Sequence, residues 1–107
     1  MVTPFQQKVY DALGRIPRGK VTTYKLLAEY LDCNSSQAIG QALRRNPYAP
    51  EVPCHRVIKS DLTIGGYSGE IDGRKLQRKL DLLRQEGVLF QDGKLTDPQR
   101  VIKIRTK

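Results

Sequence analysis

The sequence contains no tryptophan, one histidine, one methionine and two cysteines. The low cysteine and histidine counts argue against two classes of protein. Cys33 and Cys54 are too few for the disulfide framework on which small secreted domains depend. With His55 they supply only three soft metal ligands, and they lack the paired spacing of a zinc site. We therefore predict no metal and no cofactor. The apolar runs are far too short to cross a bilayer, which argues against a membrane-spanning helix.

The amino-terminal residues carry neither the basic region nor the apolar stretch of a signal peptide, so a cytoplasmic protein is predicted. The 107 residues suit one domain with one modest core, and we predict a single domain over residues 1–107. The net charge of +8 attracts polyanions, above all nucleic acid, although a solvated basic surface would give the same charge. A membrane surface is disfavoured because no strongly amphipathic basic helix is visible.

Hydrophobic spacing predicts a first helix that opens at the sequence from Thr3 to Gln6. Thr3 can cap it, Pro4 fits the first helical position, and Gln6 completes a capping box. The turn at residues 17–20 ends this first segment. One face of the helix is apolar and is predicted to enter the core; it holds Phe5, Val9, Ala12, Leu13 and Ile16.

Two further helices joined by a polar turn predict a helix-turn-helix. The second helix is predicted from Thr22 or Thr23 to Leu31, and the third from about Ser36 to Arg45. Their predicted inward residues are Leu26, Leu27, Tyr30 and Leu31 in the second helix and Ile39, Ala42 and Leu43 in the third.

The third helix would be the DNA-reading helix, and it ends in Arg44 and Arg45. Major-groove readers present long polar side chains, whereas small residues allow close approach to a backbone or a narrow groove. Close packing against a neighbouring helix is the other explanation for small residues. The predicted exposed face is small throughout: Ser35, Ser36, Ala38, Gly40 and Ala42.

The remaining chain predicts loops, one more helix and a small amount of strand. Residues 46–69 are loop-rich, with a short strand at residues 57–58. Asp72 is predicted to cap the last helix and Gly87 to end it, with inward Leu76, Leu80 and Leu83. Residues 88–90 and 101–104, with a turn at residues 92–93, are predicted to form a hairpin. The fold class is therefore mostly α with a small β component.

Cys54 and His55 are the residues with the clearest chemical potential. A cysteine becomes nucleophilic when its thiolate is favoured, and histidine is the side chain best suited to take a proton near neutral pH. A third group usually orients the base, and Glu86 is one of eleven acidic residues that could do so. The alternative is that Cys54 is a small buried hydrophobe without chemistry.

Five motifs, taken in order, resemble the O6-alkylguanine-DNA alkyltransferase family in its carboxyl-terminal, active-site domain. The resemblance covers roughly residues 3–90. The motifs are RGKVTTY at residues 18–24, AIGQALRRNP at 38–47, PCHRVI at 53–58, GGYSG at 65–69, and Leu82-Leu83 with Glu86-Gly87.

The resemblance implies a winged helix-turn-helix-like domain that repairs double-stranded DNA containing O6-alkylguanine. The family binds the minor groove and flips the damaged base out of the stack, as enzymes that act on bases must. The protein would then act once, as a monomer. The residues implied to contact DNA are Ser35, Ser36, Gln37, Ala38, Gly40, Arg44 and Arg45.

The same resemblance assigns roles within the site. Cys54 would accept the alkyl group, and His55 would take its proton through a water. Glu86 would orient His55, and Tyr24 would help rotate the nucleotide and donate to guanine N3. The base pocket would include Val57, Tyr67, Ser68, which donates near O6, and Gly69, with Asn46 bracing the adjacent turn.

Two departures from the family pattern qualify these implications. Many members carry an arginine at the start of the recognition helix, where this sequence has Gln37. The family's usual amino-terminal domain is also absent, which resembles the small alkyltransferase-like proteins. Those proteins lack the reactive cysteine that this sequence has at Cys54. The alternative function is accordingly a non-catalytic sensor of alkylated guanine.

Overall fold

Helix α1 (Pro4–Leu13) opens the computed structural model, which describes residues 2–48, 51–64 and 73–104. The Thr3 hydroxyl accepts a hydrogen bond from the Gln6 amide at 3.1 Å, and the Gln6 side chain accepts from the Thr3 amide at 2.9 Å. This capping box satisfies amides that the first helical turn leaves without partners. The predicted start of the helix and its inward face are confirmed, with Val9 and Leu13 fully buried.

Strand β1 (Thr22–Thr23) pairs in parallel with strand β2 (Val57–Ile58), with Thr22 opposite Val57. The predicted strand at residues 57–58 is therefore confirmed, whereas its partner was predicted as a helix start. Thr23 instead caps helix α2 (Tyr24–Leu31) from an extended backbone. The pairing holds the beginning of α2 against the segment that follows the candidate nucleophile.

Helix α3 (Ser36–Arg44) follows α2 after the turn at residues 32–35, which confirms the helix-turn-helix. The Ser35 hydroxyl caps α3 by accepting from the Ala38 amide at 3.0 Å. Ile39 and Ala42 are buried, as predicted for the core. Ala42 was also predicted on the exposed face, and that placement is wrong: the residue is 1% exposed because it lies three positions after the buried Ile39, on the inward face of the helix.

Helix α4 (Gly73–Gln85) carries the last predicted apolar face. Leu83 is fully buried, and Leu76 and Leu80 are partly buried against the same cluster. Gly87 follows with a φ of +83°, a left-handed conformation that glycine adopts without steric cost. The predicted cap, Asp72, lies outside the described residues.

The hairpin near the carboxyl end pairs different strands from those predicted. Strand β3 (Phe90–Gln91) pairs antiparallel with strand β4 (Lys94–Leu95) across a two-residue turn. Asp92 and Gly93 both have positive φ, which this tight turn requires. Residues 101–104 were predicted as the partner strand, and this is wrong: Val101 makes a parallel bridge to Val21 instead.

The buried side chains form two clusters. One gathers α1, α2 and α3 around residues that include Cys54 and Val57, and the other packs α4 against Val21, Ile58 and the hairpin. Among the described residues, no helix combines the length and apolar character needed to cross a membrane.

Candidate active site and recognition helix

Cys54 begins a short 3-10 turn (Cys54–Arg56) that leads directly into β2. It is 5% exposed and packs within the first cluster. The loop before it is fixed by Asn46, whose side chain donates to the Val52 carbonyl and accepts from the Tyr48 amide, both at 2.9 Å. The Cys54 amide donates to the same Val52 carbonyl at 2.9 Å. Asn46 therefore fixes the loop that precedes Cys54.

His55 Nε2 lies 2.9 Å from Glu86 Oε2, and both side chains are almost fully buried. Burial lowers the pKa of His55, and this outweighs the opposing effect of Glu86, so the ring is neutral at neutral pH. Because an ionised carboxylate can only accept, Nε2 must carry the hydrogen. Nδ1 then bears a lone pair, is buried, and has no hydrogen-bond partner among the described residues. It is the atom on this ring that can take a proton.

Arg56 contacts the opposite side of the same carboxylate. Its Nε donates to Glu86 Oε1 at 2.9 Å and its Nη2 donates to Oε2 at 2.8 Å. Burial alone would raise the pKa of Glu86, but the hydrogen bonds and charges of Arg56 and His55 lower it overall. Glu86 is thus ionised across the physiological range. Arg56 was not predicted as a site residue; its adjacency to His55 was the available signal.

Lys79 is a buried lysine on α4, 1% exposed, whose Nζ donates to the Val57 carbonyl at 2.9 Å. Burial lowers its pKa to about 7, and the charge of the Cys54 thiolate opposes that shift. Sequence reasoning missed Lys79, although it lies three residues after Leu76 and four before Leu83, on their inward face. Five residues described in this and the preceding paragraphs form what we call the Cys54 cluster: Cys54, His55, Arg56, Lys79 and Glu86.

Two tyrosines lie beside this cluster. Tyr24, the first residue of α2, packs against the buried cluster that contains Cys54. Burial and then the charge of Cys54 raise its pKa, so its hydroxyl is protonated at neutral pH. The same causes raise the pKa of Tyr10, whose hydroxyl donates to the Ala42 carbonyl at 2.9 Å. Tyr24 was predicted as a site residue, and Tyr10 was not.

The predicted base pocket falls mostly outside the described residues. Tyr67, Ser68 and Gly69 belong to the residues that the structure does not describe. Val57 is described and fully buried in the cluster that contains Cys54, with its carbonyl bonded to Lys79. The pocket assignment therefore remains a prediction.

The outer surface of α3 carries long polar side chains in addition to small ones. Gln37, Gln41 and Arg44 are all exposed and follow one another at helical spacing; we call them the α3 stripe. Ala38 and Gly40 flank the stripe and are partly exposed. A Cβ built on Gly40 would meet no atom within 4 Å, so tight helix packing does not explain this glycine. Ser35 and Arg45 are exposed at the two ends of the helix.

An open groove of about 380 Å³ runs between the amino-terminal turns of α1 and α3. The residues that line it include Gln37, Gln41 and the buried Ala42. The described residues include no group of three or more histidine, cysteine, aspartate or glutamate side chains that could hold a metal ion.

Comparison with known proteins decides the family. The sequence model of the 6-O-methylguanine DNA methyltransferase DNA-binding domain matches residues 4–88. The chain belongs to this family. It is similar to the methylated-DNA–protein-cysteine methyltransferase of Pyrobaculum aerophilum, at 46% identity over 90 residues, which are 84% of this chain and 54% of that protein.

Two solved structures of the family are similar to the fold described above. The O6-methylguanine-DNA methyltransferase of Pyrococcus kodakaraensis aligns with a TM-score of 0.71 at 48% identity, over 81% of this chain and 48% of that one. S. pombe Atl1, solved with damaged DNA containing O6-carboxymethylguanine, aligns with a TM-score of 0.77 at 38% identity, over 92% of this chain and 94% of that one. The chain thus spans about half the length of the curated methyltransferases it matches and nearly all of Atl1.

Proposed function

We propose that this protein binds double-stranded DNA containing O6-alkylguanine and transfers the alkyl group from O6 to Cys54 Sγ. The observation that carries the proposal is the buried His55–Glu86 pair next to Cys54, in a chain of the methyltransferase family. A neutral imidazole oriented by an ionised carboxylate is the arrangement that activates a thiol. The homologues of this chain, which are named methylated-DNA–protein-cysteine methyltransferases, support the same chemistry.

The transfer is a displacement at the alkyl carbon. His55 Nδ1 takes the Cys54 proton through a water, and Glu86 stabilises the imidazolium that results. The thiolate forms a bond to the alkyl carbon while the carbon–O6 bond breaks and its electron pair passes to the guanine. Tyr24 stabilises the leaving guanine by donating to N3. The product is a thioether, which has no easy route back to a thiolate, so each molecule acts once.

DNA would lie along α3. The α3 stripe and its small neighbours suit the minor groove, where readout is degenerate and a repair protein need not select a sequence. Gln37 would lie beside the space left by the flipped base, with Arg44 and Arg45 close to phosphates. The flipped guanine would enter a pocket formed with Val57, Tyr67, Ser68 and Gly69. We propose that the protein does this as a monomer.

A damage sensor is the second candidate, because Atl1 matches nearly the whole chain and its solved complex contains alkylated DNA. Such a sensor would recognise the same lesion without accepting the alkyl group. Cys54 beside the oriented His55 favours transfer over sensing.

The test is intact mass and peptide mapping after incubation with a duplex that carries one O6-methylguanine. We expect the mass to rise by one methyl group on the peptide that contains Cys54, with guanine restored in the DNA. Cys54→Ala should gain no mass and still bind the damaged duplex, whereas Cys33→Ala should behave as wild type. Tight, lesion-selective binding without mass gain would establish the sensor instead, and neither binding nor transfer would refute both.

A further inference from the structure

Arg56 makes three hydrogen bonds that join three separate parts of the fold. Two reach Glu86 after the end of α4, and the third runs from Nη1 to the Ile16 carbonyl at 2.7 Å, in the turn after α1. The side chain is 15% exposed, and Glu86 is 5% exposed. A guanidinium is always charged and presents its donors in a rigid plane, so this contact fixes both the place and the rotation of the carboxylate.

The geometry leaves one arrangement for His55. Within the described part of the chain, Glu86 Oε1 accepts only from Arg56, whereas Oε2 accepts from both Arg56 and His55. With the guanidinium held against it, the carboxylate is disfavoured from taking a proton and must accept from the ring. His55 is thereby held as the Nε2–H tautomer.

We propose that Arg56 is a positioning residue for the transfer reaction: its two-point contact with Glu86 fixes the carboxylate against the ring, and its charge keeps the His55 ring neutral and its Nδ1 unprotonated. The expected effect on the transfer rate rests on the proposed function. The expected effect on the protonation of His55 does not depend on it. Among the described residues, the charged groups that act on His55 are Glu86, Arg56 and Lys79, and Cys54 precedes it directly in the chain. Glu86 favours a protonated ring, and Arg56 and Lys79 disfavour one. Removing Arg56 would let the ring hold a second proton, and Nδ1 could then accept nothing from Cys54.

The experiment uses the fact that His55 is the only histidine in the chain. Nitrogen-15 spectra of the imidazole therefore report its tautomer and its titration midpoint without ambiguity. In Arg56→Gln, which removes the charge, we expect the midpoint to rise by about one pH unit, the effect of one nearby charge. Arg56→Lys keeps the charge, so its midpoint should stay near wild type. Arg100→Gln is the matched control, because Arg100 also donates to a backbone carbonyl, that of Gly19 at 2.8 Å.

Single-turnover transfer, measured against pH, tests the consequence. The rate should fall as the ring becomes protonated, so Arg56→Gln should lose activity at a pH about one unit higher than wild type. Arg56→Lys should be slower by a similar factor at every pH. If the role of Arg56 were purely structural, Arg56→Gln and Arg100→Gln would both lower the free energy of unfolding, and neither would move the titration midpoint of His55.

An unmoved midpoint in folded Arg56→Gln would overturn the inference. If that variant does not fold, Arg56→Lys decides: wild-type tautomer and wild-type rate would show that the two-point contact is dispensable. Absence of transfer in the wild-type protein would refute the proposed function, and the spectra would still test the role of Arg56.

Discussion

The Cys54 cluster and the α3 stripe use polar side chains in opposite ways. In the cluster, Arg56, Lys79 and Glu86 are largely buried, and the hydrogen bonds that Arg56 and Lys79 donate are between 2.7 and 2.9 Å long. In the stripe, Gln37 and Arg44 are exposed and their side chains make no hydrogen bond to any described residue. A buried polar group destabilises the folded state unless it is hydrogen-bonded, whereas an exposed polar group is hydrated and carries no such free-energy cost.

This difference predicts how substitutions behave. In the cluster, each change removes a partner from another buried group, so stability and chemistry fall together. In the stripe, a change should alter binding to the DNA that we propose lies along α3, and it should leave folding nearly unaffected. Substitutions in each region test this difference.

The largest effect is expected from Glu86→Gln. The amide cannot accept from His55 and both Arg56 donors at once, and a buried guanidinium loses its anion. We expect the free energy of unfolding to fall by about 3 kcal/mol, the cost of breaking a buried pair. Transfer should slow by on the order of 10²-fold or more, because the base loses its orientation. Urea unfolding and single-turnover kinetics measure the two effects.

Glu51→Gln is the control for Glu86→Gln, because Glu51 is an exposed acid on the loop before Cys54. It should change neither the free energy of unfolding nor the transfer rate. Loss of transfer in Glu86→Gln at unchanged stability would contradict the coupling of structure and chemistry in the cluster.

Lys79→Met should alter how stability depends on pH. Burial lowers the pKa of Lys79 to about 7 in the folded protein from 10.5 when unfolded. Between these values the unfolded chain holds a proton that the folded chain has released, so the free energy of unfolding rises with pH. The full contribution of one proton is about 1.4 kcal/mol per pH unit. Urea unfolding at several values from pH 7 to pH 9 measures the slope.

We expect Lys79→Met to lose the part of this slope that Lys79 contributes. Lys59→Met, at an exposed lysine, should keep the wild-type slope. An unchanged slope in Lys79→Met would mean that Lys79 remains charged in the folded protein throughout the range.

The two regions were also unequally predictable from the sequence. The ends of α3 follow from local signals, the Ser35 cap and the arginines before Asn46-Pro47, and the structure confirms them within one residue. The His55–Glu86 contact joins residues 31 apart, and Glu86 was selected only by family resemblance. Spacing alone leaves eleven acids equivalent.

Other features escaped prediction for physical reasons. The parallel pairing of Thr22 with Val57 depends on tertiary contact across 35 positions, and two-residue strands leave no alternation in the sequence. The hairpin was mispaired because residues 101–104 have the stronger β pattern, whereas the Asp92-Gly93 turn selects the adjacent Lys94 and Leu95. Lys79 lies on an apolar face, and a lysine there is ordinarily assumed to point outward.

Gln37→Arg should strengthen DNA binding without affecting folding. In the proposed complex, an arginine at this position would add charge and reach beside the space that the flipped base leaves. We expect Kd for a duplex with one O6-methylguanine to fall several-fold, about 1 kcal/mol of binding free energy, as measured by fluorescence anisotropy. Gln91→Arg, on the exposed hairpin, controls for added charge and should change Kd much less. Equal tightening by both variants would assign the effect to net charge alone.

The smallest effect, from Gly40→Ala, tests why α3 keeps a glycine at all. The new methyl group would meet no atom within 4 Å, and alanine is the better helix former, so unfolding free energy should rise by about 0.5–1 kcal/mol. Kd for the damaged duplex should nevertheless rise several-fold, because the methyl group would occupy space beside the α3 stripe.

Gly14→Ala is the matched control for Gly40→Ala. Gly14 has right-handed backbone at the end of α1, and a Cβ there would meet only ordinary contacts, 3.5 Å from the nearest atom. It should tolerate alanine without loss of stability and without any effect on DNA binding. If Gly40→Ala stabilises the protein and leaves Kd unchanged, the small face of α3 does not touch the duplex. The surface that contacts DNA would then lie on another part of the molecule.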